Sequence, residues 1–184
     1  MGLSLEGAAS LDATGLESRY ISRHFLKRSG RMKRYRCYPK LTVLCHNPTH
    51  LIAGAGVRAG PSNDSPDLPP VVRQAARRIQ IQTLYADAAY DSEGHHRLCR
   101  EELGIAKTVI PINDRGNPAA VPQTPYRRQM KQEFPQEEFG QRWQVESVIS
   151  RFKRRLGPAL RSRSDQSRAH ESYLRVLTHN LMIL

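Results

Sequence analysis

Acidic residues are scarce in this 184-residue chain: 17 Asp and Glu stand against 29 Lys and Arg, leaving a net charge of +12. Such a balance, with a pI near 10.2, argues for a polyanionic partner, of which nucleic acid is the commonest. An acidic membrane surface is the alternative, but no basic helix with an apolar face stands out. Long hydrophobic runs are missing as well. None approaches the ~18 residues of a transmembrane span, so no membrane partner is expected. The opening residues MGLSLEGAASLD lack a charged segment followed by an apolar core, which excludes a signal peptide, and Glu6 makes the Met-Gly start a poor myristoylation match. Cysteine is sparse. Cys37, Cys45 and Cys99 are odd in number and form no C-x-x-C, which reads as reduced thiols in a cytoplasmic protein. Cys37, Cys45, His46 and His50 fit no common zinc spacing. His95 and His96 read as surface residues on a helix. Glycine-rich nucleotide loops and Ser/His/Asp arrangements are lacking.

The charge that is present is unevenly spread. Residues 19–40 hold nine Lys or Arg and no acid, and residues 126–163 hold ten against four acids. The few acids inside or beside these basic stretches therefore stand out. A hydrophobic content of 39% supports one domain with a real core, spanning 1–184, and is too little for two.

In chain order, residues 8–11 read as the end of a strand with Asp12 at its tip, and Thr14-Gly15 as a turn. Residues 19–36 read as a basic loop or short helix. Residues 38–45 and 51–58 form a β-hairpin through the turn 46–50. A helix is expected over 71–79, a strand from 82 with Asp87 near its end, and a helix over 93–103 capped by Asp91-Ser92. A strand follows at 106–112, then a loop insertion at about 113–137. A last helix, 166–184, offers Leu174, Val176, Leu177, Leu181 and Leu184 as a buried face. The order implies a mixed α/β domain: an antiparallel part, then strand–helix units that pair in parallel. In such sheets, sites form beyond the carboxyl ends of strands.

Residues 139–156 read as one helix, with acids before it, cations in its last turn and Gly157-Pro158 as its stop. At about 100° per residue, Phe139, Arg142, Glu146 and Lys153 share an arc of about 60°. Taken alone, Arg142 and Glu146 are an ordinary i, i+4 charge pair. Asp12, Asp87 and Glu146 together, however, are three carboxylates on two strand ends and a helix. Such oxygen donors suit Mg²⁺, and a few of them hold the paired ions of phosphoryl-transfer sites.

Phe139, Arg142, Glu146 and Lys153 match Y-x(2)-R-x(3)-E-x(6)-K, with Phe in place of the Tyr. This pattern resembles the one around the last acid of the DDE transposases of bacterial insertion sequences. The segment from Asp87 to Asp91 resembles the D-x-x-Y-D at their second acid, and Asp12-Ala13-Thr14 the region of the first. The resemblance runs from about residue 9 to the C-terminus. It implies a ribonuclease H-like mixed sheet flanked by helices, with Asp12, Asp87 and Glu146 as catalytic metal ligands for Mg²⁺ or Mn²⁺, two ions in all. It further implies strand cleavage and strand transfer on double-stranded DNA, with Arg142, Lys153 and Phe139 at the DNA. A homodimer when active and a place at the bacterial nucleoid follow by the same analogy. A DNA-binding region ahead of the catalytic domain, usual in the family, has no room before Asp12. The alternative expectation is therefore an inactive remnant that binds DNA without catalysis.

Overall fold

The computed structural model describes residues 5–18, 38–114, 116, 119 and 121–184. The expectations for residues 19–37, Cys37 included, lie outside the described residues.

Five strands form the main sheet: β1 (Glu6–Gly15), β3 (Tyr38–His46), β4 (Ile52–Gly60), β5 (Gln80–Ala86) and β6 (Lys107–Val109), in the order β4-β3-β1-β5-β6. β1 is antiparallel to β3 and β3 to β4, whereas β1–β5 and β5–β6 are parallel. A two-stranded parallel ribbon joins β2 (Glu17–Ser18) to β7 (Ala159–Leu160), an element that the sequence reading did not contain.

The first strand is longer than expected, and Asp12 lies inside it rather than at its tip. Its small residues Ala8, Ala9 and Ser10 looked thin for a strand. In the centre of the sheet they suffice, because β1 is bonded on both sides and Ala9, Ser10 and Leu11 are fully buried. The hairpin stands as expected, each strand one residue longer.

Helices cover both faces of this sheet. On one, α1 (Leu68–Ala76) and α2 (Glu93–Arg97) enclose a core of Leu11, Leu44, Leu68, Val72, Leu84, Leu98 and Ile110. α1 begins three residues earlier than expected, since Pro69 and Pro70 occupy its first turn, where a missing N–H does no harm. Gly54 lets it approach β4: a Cβ there would stand 2.4 Å from the Val71 carbonyl oxygen. α2 runs on as a π-helical turn, Leu98–Glu102. On the other face, α5 (Trp143–Leu156) and α6 (Asp165–Leu181) close a core of Leu16, Leu41, Val43, Ile52, Val145, Val148, Phe152 and Leu160. A mixed sheet with helices on both faces is the ribonuclease H-like α/β arrangement that was expected.

The remaining differences have physical causes. The 113–137 stretch is not all loop. It holds α3 (Pro125–Gln132) and the start of α4 (Gln136–Phe139), and α3 is tied down by charge: Glu93 accepts the N–H groups of Tyr126 and Arg127. His95 and His96 are buried, not on the surface. His96 Nδ1 lies 2.6 Å from the Thr108 hydroxyl, and burial lowers its pKa to about 4. Of the apolar face assigned to the last helix, only Val176 packs on the core, while Leu174, Leu177, Leu181 and Leu184 are exposed.

Candidate active site

Asp12 and Asp87 are brought together by the parallel β1–β5 ladder. Its last pair is Leu11 with Ala86, so the two aspartates are the next residues along neighbouring strands. Asp12 is also paired across β3 with Val43, whose side chain belongs to the core under α5. Residues paired in this way point to one face of a sheet, so Asp12 faces α5. β5 ends at Ala86, and Asp87 caps a 3₁₀ turn over Ala88–Tyr90 by accepting the Ala88 N–H.

Glu146 arrives from the other side. The expected single helix over 139–156 is wound in three parts: α4, a 3₁₀ turn Gly140–Arg142, and α5. The sheet fixes the middle part. The Gln141 carbonyl accepts from the Ser10 hydroxyl and from the Asn47 amide, each at 3.4 Å. That anchorage puts Arg142 directly over Asp12. Its Nη1 is 3.4 Å from Asp12 Oδ2, and its Nη2 donates to Glu146 Oε1. One guanidinium therefore bridges the first and third acids of the sequence pattern. The Phe139 ring lies 5.9 Å from the Arg142 guanidinium carbon and meets Phe134 edge-on, so it backs the arginine within the chain.

The electrostatics are those of crowded carboxylates. Burial is the largest influence on Asp12 and raises its pKa. The Ala13 N–H and Arg142 oppose this, while Asp87 and Glu146 push it further up. Asp87 and Glu146 thus both act on Asp12, and the Arg142 cation opposes them.

Asp12 and Glu146 share a guanidinium, and Asp87 is within electrostatic reach of Asp12. The three do not stand as a ready cage: among the described residues no group of three or more His, Cys, Asp or Glu side chains is set to hold a metal ion. The donor chemistry nonetheless fits a hard divalent cation, because all three are carboxylates and offer the oxygen ligands that such an ion prefers. Arg142 sits where such a cation would compete with it. Lys153, two turns beyond Glu146 on α5, is half-buried and makes no ion pair among the described residues. Arg154 and Arg155 follow it, exposed, before Gly157 stops the helix with φ of 84°.

Sequence reasoning missed two features of this region. One is Trp143, the single Trp of the chain, 54% exposed and three residues from Glu146. Its side chain would be expected inside, so only its place beside the motif hinted at a role. The other is the anchorage of Gln141, whose signal is a backbone carbonyl and leaves no trace in sequence. The cysteine and histidine positions set aside as a zinc site stay so for those described. Cys45 and Cys99 are free and buried, with burial pushing both thiols up to about 12, and the His46 nitrogens are engaged by Thr49 and the Glu6 carbonyl.

The fold and this acidic site define a ribonuclease H-like domain with one carboxylate inside the central strand, one just past the end of its parallel neighbour and one on the helix packed over them. The sequence pattern of the transposase DDE domain matches residues 4–181, and the chain belongs to that family. Among curated proteins none matches the chain. The family is one of transposases, it acts on DNA, and it normally uses divalent metal ions. No helix among the described residues is long and apolar enough to cross a membrane.

Proposed function

We propose that this chain is the catalytic domain of a DNA transposase that cleaves DNA strands and transfers them to a new site. Asp12, Asp87 and Glu146 are its metal ligands, and Mg²⁺ or Mn²⁺, as two ions, is its cofactor. The observation that carries this reading is the single guanidinium of Arg142 joining Asp12 to Glu146, with Asp87 beside Asp12 on the next strand. When bound, the cations stabilise the charge that develops on the attacking and leaving oxygens of an in-line displacement.

The chain's own residues supply the rest. The rigid β1–β5 pair fixes the spacing of Asp12 and Asp87. Gln141, held by Ser10 and Asn47, fixes the start of α5 and with it Glu146. Arg142 stands where carboxylates and a DNA phosphate meet, and can exchange one for the other. Lys153 and the cations after it extend a positive track along which a phosphate backbone can lie. Phe139 supports Arg142 by ring contact and offers its remaining edge to DNA. The partner is double-stranded DNA, both element end and target, which places the chain at the bacterial nucleoid and, when active, in a homodimer.

The test is strand nicking or joining on DNA carrying the element end, with Mg²⁺ or Mn²⁺ supplied. Glu146→Gln keeps shape and removes the charge that holds a cation. It is expected to abolish chemistry while DNA binding stays similar or tightens, because phosphate repulsion falls. Full activity in Glu146→Gln would remove Glu146 from the ligand set. Inactivity with all three acids in place, in a protein that also carries an N-terminal DNA-binding region, would leave a DNA-binding remnant.

A further inference from the structure

Asp87 stands on a turn that the sheet alone does not hold. β5 ends at Ala86, and the chain makes one 3₁₀ turn, Ala88–Tyr90, before α2 begins. Two backbone bonds close that turn. The Tyr90 N–H donates to the Asp87 carbonyl at 2.9 Å, and the Asp91 N–H to the Ala88 carbonyl at 3.1 Å. Tyr90 is buried in the core under α1 and α2. The far end of the turn is Asp91, whose side chain is wholly buried. Its carboxylate meets one cation among the described residues, Arg127 of α3. Nε donates to both oxygens, at 2.8 and 3.1 Å, and Nη2 to Oδ2 at 2.7 Å. Arg127 is itself held by the start of α2, where Glu93 accepts its N–H at 3.1 Å and that of Tyr126 at 3.3 Å. The Tyr126 ring stacks on His96 and lies under the Arg100 guanidinium. The fork thus runs from a docked helix to the end of the turn that carries the second acid.

We propose that Arg127 is a positioning residue for Asp87: by holding Asp91 inside, it fixes the turn that aims the Asp87 carboxylate at the cation. The inference rests on the reading of Asp87 as a metal ligand. Its physical basis is the burial of Asp91. A buried carboxylate that loses its cation takes up a proton or turns out to water. Either change loosens a residue whose N–H is bonded to Ala88, and the Ala88 N–H in turn donates to the Asp87 carboxylate. Asp12 needs no such support, because it lies inside β1 between two neighbouring strands. Asp87, one residue past the end of β5, is the acid whose geometry depends on a tie from outside the sheet. Groups that orient a metal ligand from behind change metal affinity by roughly 10–100-fold when they are removed.

The experiment is a Mn²⁺ titration of the full chain, read by water-proton relaxation at a temperature where circular dichroism shows each variant folded. Arg127→Ala is expected to raise the Mn²⁺ dissociation constant by at least ~10-fold. That change also destabilises the fold, so Asp91→Asn combined with Arg127→Gln is the second arm. It leaves no buried charge unpaired and should melt near the parent, yet it lacks the fork and should lose Mn²⁺ affinity by a similar factor. Arg73→Ala opens an exposed pair with Glu102 and removes the same charge as Arg127→Ala; it should bind Mn²⁺ as the parent does. A clamp with a structural role alone would lower the melting temperature of Arg127→Ala and leave the Mn²⁺ constant unmoved in the double variant, which overturns the proposal. An equal loss of affinity in Arg73→Ala overturns it too. Asp87→Asn separates the clamp from the reading beneath it. If Asp87→Asn loses Mn²⁺ affinity while the double variant keeps it, the clamp is refuted and the ligand assignment stands. If Asp87→Asn binds Mn²⁺ as the parent does, Asp87 is not a ligand and both fall.

Discussion

The guanidinium of Arg127 closes on the Asp91 carboxylate with three hydrogen bonds of 2.7 to 3.1 Å, and the Asp91 side chain is wholly buried. Asp91 also accepts the Asn113 N–H at 2.9 Å. The second Asp of the D-x-x-Y-D segment is therefore not a helix cap. It is the post to which α3 is tied, four residues past Asp87. Removing Arg127 strands a buried charge, so Arg127→Ala should destabilise the fold by about 3–5 kcal/mol in denaturant unfolding. Arg127→Lys should recover part of this, since it restores charge without the two-pronged geometry. A midpoint unchanged by Arg127→Ala would show that the pair contributes nothing.

Most of the fold was legible in the sequence because its signals are local. The hairpin shows β-branched, apolar strands around Asn47-Pro48, and the Phe139, Arg142, Glu146, Lys153 spacing marks the helix of the third acid. What escaped has its cause in tertiary structure. The central strand is made of small residues because both its edges are paired, so Asp12 seemed to stand at a tip. The last helix follows the 3.6 period that announces a buried apolar face, yet Asn180 and Arg175 reverse it by bonding backbone groups of β4 and of the stretch before the helix. His96 looked like a surface residue because nothing nearby in sequence reports that Thr108 would meet it. Within the candidate site, the sequence singles out Asp12, Asp87 and Glu146 by their pattern alone. The Arg142 bridge to Asp12, 130 residues away, and the Gln141 anchorage were not legible there.

Glu171 gives a pH signature. Burial would raise its pKa, but N–H donors from Arg161 and Ser162 outweigh that and lower it from 4.5 to about 2. A depressed carboxylate adds stability that is present above pH 4.5 and is lost as pH falls toward 2. After solvent screening the contribution is about 1–2 kcal/mol. His96, held neutral by burial with a pKa near 4, adds an earlier loss as pH falls from 6.5 to 4. Urea unfolding against pH should therefore fall in two stages, and Glu171→Gln should flatten only the lower one. Identical acid limbs in the two proteins would reject this role for Glu171.

DNA binding should read out through α5. Log affinity is expected to fall linearly with log salt, and Lys153→Ala should reduce the slope by about one unit if it neutralises one phosphate. Trp143, exposed beside Glu146, reports the same event, since an exposed indole can stack on a base. Its fluorescence should change on duplex binding and saturate with the same affinity. A slope unaltered in Lys153→Ala would take that residue out of the interface, and a silent Trp143 would place the DNA elsewhere.

The Arg142 bridge leads to the sharpest expectation about the acids. A cation that binds the folded chain and not the unfolded one raises the melting temperature as its concentration rises above its dissociation constant. In the unaltered protein Arg142 competes for Asp12 and Glu146, so Mn²⁺ must displace a bonded guanidinium from at least one of them. Arg142→Ala removes that competitor and takes the neighbouring cation from Asp12, whose pKa is raised first by burial and then by Asp87 and Glu146. Without added cation this variant should be less stable than the parent, since the guanidinium that opposed the repulsion is gone. With Mn²⁺ it should gain more in melting temperature than the parent does, reaching half its gain at a lower concentration. Asp12→Asn should lose most of the Mn²⁺ response in either background, while Glu102→Gln, far along the chain and paired with Arg73, should keep it. The same Arg142→Ala change should weaken DNA binding, because a phosphate donor is lost. If its Mn²⁺ response is no larger than the parent's, Arg142 and the cation do not share the carboxylates, and the bridge is a structural tie alone.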